Sequence, residues 1–146
     1  MAFESDMMAF LAALDLAIED TMLQDVTDET THAIQEALYE EVYSYSASPL
    51  AMASRRYEKG GLADPGNIFS TFDNETGILE VADIAPFQDG DIGYGKWLTE
   101  VVEEGDANFA QPYQRPFIQK AEEKMSEGRF EQALTSGLQK RGFEVT

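Results

Sequence analysis

One turn signal separates the two kinds of periodicity in this chain. Asp73-Asn74-Glu75-Thr76-Gly77 is a cluster of turn-forming residues, flanked by the short β-rich segments Asn67 to Phe72 and Ile78 to Ile84. Two such runs around such a cluster predict a β-hairpin over 67–84. The sequence on either side repeats at the helical period instead. Met7, Phe10, Leu11, Leu14 and Ile18 recur at i, i+3, i+4, i+7 and i+11, which predicts an amphipathic helix filling most of 1–23. Gln24 to Thr27 reads as a break after it. Thr27 suits the N-cap of a second helix over 27–46, with Asp28 and Glu29 at its positive end. Ala33, Ile34, Ala37, Leu38, Val42 and Tyr45 supply that helix's apolar face.

Beyond the hairpin, Tyr94, Trp97, Leu98, Val101 and Val102 predict a short helix over 94–104, stopped at Glu103-Glu104-Gly105-Asp106. Arg115-Pro116-Phe117 then opens a C-terminal helical segment over 116–141, with proline expected at its first helical position. Phe117, Ile118, Ala121 and Met125 form one stripe and Gly128 interrupts it. Phe130, Ala133, Leu134 and Leu138 form the next, and Gly142 reads as the glycine that closes the helix. Phe143-Glu144-Val145 would add a short edge strand. The 146 residues are expected to form a single domain with a modest core.

Charge is the strongest global feature. The formal net charge is −18, and it is unevenly spread. The first 54 residues hold eleven Asp or Glu and no Lys or Arg, and residues 64–106 hold eleven acids against Lys96 alone. From Arg115 onward there are six bases and five acids. A surface this acidic repels nucleic-acid phosphates and anionic membranes. It would suit a basic partner, a metal, or a channel that DNA must traverse without sticking; solubility alone is the plain alternative. There is no cysteine, which excludes disulfides and thiolate metal sites. No apolar run approaches the roughly 18 residues of a membrane span. No basic region precedes the first apolar residues, so a secretory signal is not expected and a soluble intracellular product is.

The residues that could carry chemistry do not assemble into a reactive pattern. His32 is the single histidine, with neither cysteine nor a second histidine to make a metal site or a triad. Thr71, Asp73 and Glu75 with Asp83 do not follow the spacing of a calcium loop, and turn chemistry is the better reading. Glu36 and Glu40 share a helix face, but a di-metal helix also needs Glu-x-x-His, which is missing. The glycines at 93 and 95 match no phosphate loop or dinucleotide fingerprint. No enzyme activity and no cofactor are expected.

A resemblance then becomes visible. Trp97-Leu98-Thr99-Glu100-Val101-Val102-Glu103-Glu104-Gly105, a loop, and then Arg115-Pro116-Phe117-Ile118-Gln119-Lys120-Ala121 resemble the tail-component family of long-tailed bacteriophages. In that family a Val-Glu-x-Gly element precedes an Arg-Pro-Phe helix start. Arg55-Arg56-Tyr57-Glu58-Lys59-Gly60-Gly61-Leu62 resembles a segment of prophage proteins of the same kind, so the likeness covers about residues 55–142. The chain departs from the family in its acidic first helix and in lacking a Thr-Gly-x-Leu element before the hairpin.

The resemblance implies an α+β fold: two N-terminal helices, a small antiparallel sheet built on the hairpin, a short helix and a C-terminal helical segment. It also implies a virion protein made in the host cytoplasm, a neck or tail-completion component that helps join head to tail. Its partners would be neighbouring neck or tail proteins, in a ring that is often sixfold around the DNA channel, with no membrane involved. Within such a ring, Arg55, Arg56, Tyr57, Pro112, Tyr113, Arg115 and Phe117 are the subunit-interface candidates. Asp15, Glu19, Asp20, Asp73 and Glu75 are the candidates for an acidic lumen past which DNA slides without specific binding. Like charge would oppose self-association in free solution, so the protein could stay monomeric until a preformed neighbour supplies basic contacts. The alternative is an acidic DNA mimic that occupies the groove of a nucleic-acid-binding host protein. A third reading, an adaptor docking through the Met- and Phe-bearing first helix, has no specific motif behind it.

Overall fold

A computed structural model describes residues 2–41, 62–84 and 116–145. The expected short helix at 94–104, the end of the second helix at 42–46, and Arg55, Arg56, Tyr57, Pro112, Tyr113 and Arg115 lie outside the described residues. Within them the architecture is α+β, in the expected element order.

The first two helices are α1, Ala2–Thr21, and α2, Thr27–Glu41. The expected break between them is absent. Met22–Val26 forms a π turn, and Thr21 and Thr27 both keep right-handed helical angles, so the helical path runs on from Ala2 to Glu41. At about 1.5 Å per residue its contour is about 60 Å. Thr27 is no N-cap: its hydroxyl donates back to the Met22 carbonyl at 3.0 Å, five residues earlier, matching the wide hydrogen-bond step of a π turn. Thr30 and Thr31 bond back in the same way to Val26 O at 2.7 Å and Thr27 O at 2.9 Å. The side chains that read as a helix start thus work inside a helix.

The returning helices are α3, Phe117–Lys124, and α4, Phe130–Lys140. Pro116 stands at the cap rather than at the first helical position, and its carbonyl accepts from Lys120 N at 3.1 Å. The expected interruption at Gly128 is present, where φ is 97° and the helix kinks. α4 ends as expected at Gly142, with φ 94°. Gly142 N donates to Gln139 O and Phe143 N to Leu138 O, both at 3.0 Å, the paired bonds of a Schellman ending. Residues 143–145 form no strand; Phe143 instead sets its ring 6.0 Å from that of Phe10.

The hairpin pairs β1, Ile68–Asp73, with β2, Ile78–Asp83, in antiparallel register from Ile68↔Asp83 to Asp73↔Ile78. Asp73 organises the turn: its Oδ1 accepts from Glu75 N at 2.9 Å, and Gly77, at φ 71°, donates to Asp73 O at 2.8 Å. At the other end Asp64 caps a 3-10 turn over Pro65–Asn67, and Gln35 of α2 donates to Ala63 O at 2.9 Å. These bonds fix the hairpin's base to α2.

The core forms where α2 meets α3 and the base of the hairpin. Ala33, Ile34, Ala37 and Leu38 of α2 pack with Leu62, Ala63, Phe117 and Ala121, and Ile68, Val81, Ile118 and Met125 close around them. A second, thinner contact joins the end of α1 and the π turn to α4. Its tightest point is Gly137, where an added Cβ would lie 2.4 Å from Thr21 Cγ2 and 2.9 Å from Asp25 Oδ2.

Candidate functional site

The antiparallel return of α3 and α4 along α2 and the π turn brings bases from the last third against acids from the first. Lys124 Nζ lies 2.9 Å from Glu40 and 3.9 Å from Glu36. Arg129 bridges two carboxylates, with Nε 2.7 Å from Glu29 and Nη1 2.6 Å from Glu36. Lys140 lies 3.1 Å from Asp25, and Arg141 donates to the same carboxylate. Arg141 also donates to Thr21 Oγ1 at 3.2 Å, Gln24 Oε1 at 3.2 Å and Gly137 O at 3.0 Å, so it ties the π turn to the end of α4.

This seam shifts ionisation. Partial burial of Asp25 disfavours its charge, but the hydrogen bonds and charges of Arg141 and Lys140 outweigh that and hold its carboxyl below the ordinary value. The hydrogen bond from Arg129 holds Glu36 below its ordinary value, and Glu36 in turn raises Arg129. Glu36 and Glu40 therefore do share a face, and the face is occupied by cations of the same chain. Among the described residues no group of three His, Asp or Glu is placed to hold a metal ion. His32 sits exposed on α2 beside Glu36.

The seam leaves the rest of the acidic surface without partners from these four bases. Asp15, Glu19 and Asp20 lie on the last turns of α1, and Asp15 and Glu19, four apart, share a face. Asp73 and Glu75 are exposed at the hairpin tip. That tip lies over the π turn, where Gly77 and Leu79 share an apolar groove of about 520 Å³ with Met22, Val26 and Met125. Asp83 belongs to the opposite end of the hairpin, opposite Ile68, so the sequence's candidate cation set is not brought together. Phe117 needs correcting as an interface candidate. Its side chain is fully buried against α2, where it docks α3 and cannot reach a neighbouring subunit.

Sequence reasoning missed the seam and the contact at Gly137. A signal for the seam was present: a first half without bases must find its cations elsewhere, and Lys124, Arg129, Lys140 and Arg141 stand on the returning helices. For Gly137 nothing in the sequence marked the close approach.

The fold and the surface together define an acidic α+β protein in which Lys124, Arg129, Lys140 and Arg141 of the C-terminal segment pair with acids of the first helices. The chain belongs to the YomN family, whose profile matches residues 6–140. The family name is phage-associated, which supports a phage-derived protein. No curated protein and no solved structure matches the chain.

Proposed function

We propose that this protein is a structural component of a tailed-phage virion, acting at the neck or in tail completion within a ring around the DNA channel. One observation carries the reading: the internal seam takes up Lys124, Arg129, Lys140 and Arg141, leaving α1 and the hairpin tip as carboxylate-bearing surfaces. Such surfaces facing a lumen would let the DNA backbone pass without adhering. The phage-associated family and the Arg-Pro-Phe helix start support the same reading.

Immunogold electron microscopy of particles from the source culture tests it. Label is expected at the head–tail junction or upper tail. Particles without label, with the protein left in the soluble fraction, overturn the virion reading in favour of a DNA mimic. Arg55→Glu with Arg56→Glu is expected to abolish incorporation while the free protein stays folded. Normal incorporation would remove that segment from the interface.

A further inference from the structure

We infer that the N-terminal half of α1 is a docking helix, and that its occupant is a different protein presenting an apolar groove rimmed with lysine or arginine. The stripe of α1 has two fates. At its C-terminal end Ala17 and Thr21 are buried, where α1 packs on α4. At its N-terminal end Met7, Phe10 and Leu11 stay 45%, 53% and 49% exposed. The reason is geometric. α4 closes at Gly142, and Phe143 just beyond it sets its ring beside Phe10. The apolar face thus runs on past the helix that covers it.

Charge selects the occupant. At 100° per residue Glu4 and Asp15 fall along one edge of the stripe and Asp6 along the other, and the first 54 residues contain no base to offset them. Among the described residues no ion pair engages these three carboxylates, and the seam cations are held further along the molecule. Two copies of α1 laid together would set carboxylates against carboxylates. A cationic rim would attract the same edges, and an apolar groove would cover the three side chains between them. The inference does not depend on a virion location.

The test is site-specific photo-crosslinking in the full chain, expressed where the protein normally acts. The crosslinker replaces Met7 or Leu11 in turn, and as a control Leu16, which is exposed on the opposite face. Positions 7 and 11 are expected to give adducts with one other protein, whose crosslinked peptide is apolar between lysines or arginines; position 16 gives none. With the pair purified, raised salt is expected to weaken binding, and Leu11→Asp to weaken it at least about tenfold without shifting the unfolding midpoint. Adducts with a second copy, with residues 42–61 or 85–115 of the same chain, equally from position 16, or none at all, overturn the inference. So does association that salt strengthens. A partner found outside particles would overturn the virion reading and leave the docking helix standing. Immunogold label at the neck without adducts from 7 and 11 would do the reverse.

Discussion

Gly137→Ala is the sharpest probe of how the two helical passes are held together. On an exposed helix this change is stabilising by about 1 kcal/mol, because alanine restricts the unfolded chain and favours helix. Here the new methyl would stand 2.4 Å from Thr21 Cγ2. Carbon atoms prefer about 3.5–4.0 Å, so more than an ångström must be recovered. Thr21 cannot supply it by turning. It is fully buried, and its Oγ1 accepts from Arg141 Nη1 at 3.2 Å. α4 must then move away from the π turn, straining the Asp25–Arg141 contact. Overpacking of this kind costs about 1–3 kcal/mol, so subtracting the helix gain of about 1 kcal/mol leaves a net loss of up to about 2 kcal/mol. Urea unfolding followed by circular dichroism measures it as a lower midpoint at unchanged slope. Thr21→Ser removes the opposing methyl and keeps the hydroxyl. Alone it costs about 1 kcal/mol, but combined with Gly137→Ala it should recover part of the clash, giving a coupling of about 1 kcal/mol. A Gly137→Ala protein at least as stable as the parent, or strictly additive double-mutant values, would refute the reasoning.

Phe117→Ala should destabilise the protein by about 3–5 kcal/mol, read as a collapse of the urea midpoint, because it empties a fully buried site; an unchanged midpoint would put Phe117 outside the core. Gly128→Ala and Gly142→Ala meet no atom within 4 Å but sit at φ 97° and 94°, so each should cost about 1–2 kcal/mol from backbone conformation alone. Stability should fall with acid. Asp25 and Glu36 have folded values below their unfolded 3.8 and 4.5, so their contribution is complete above the unfolded values and is lost as pH falls through the lower folded ones. Urea midpoints measured downward from pH 6 should show that loss, reduced in a Glu36→Gln, Asp25→Asn variant.

The α+β class was legible because its signals are local. A turn cluster between two β-rich segments, apolar stripes at helical spacing, Gly128 and Gly142 each act within a few residues of themselves. The continuity of α1 into α2 was not legible. Asp25, Thr27 and Asp28 are residue types that start helices, and only the register of Thr27 with Met22 O distinguishes back-bonding within a π turn from a cap. The role of Phe117 was half legible. Its stripe announced that α3 would dock, while the choice of partner, α2 of the same chain, depends on contacts some 80 residues apart. The acidic candidates at Asp15, Glu19, Asp73 and Glu75 were legible as charge, but which acids stay unneutralised was decided by the seam.

That seam does more for register than for stability. Its pairs are partly exposed, and Glu36 keeps half its side-chain surface in water, so each pair contributes roughly 0.2–1 kcal/mol. The hydrophobic contact of α2 with α3 is the larger stabilising element. Yet that contact, made by Ala33, Ala37, Phe117 and Ala121, could be approached by helices running either way. The order of charges cannot. Lys124 meets Glu36 and Glu40, Arg129 meets Glu29 and Glu36, and Lys140 and Arg141 meet Asp25. Reversing the returning helices would carry Lys140 and Arg141 away from Asp25 and leave that carboxylate partly buried without a counterion. Antiparallel packing is therefore the arrangement that satisfies both terms. It also aims α4 toward α1 and ends it beside the last turns of that helix, well short of Met7, where the apolar stripe stays half exposed.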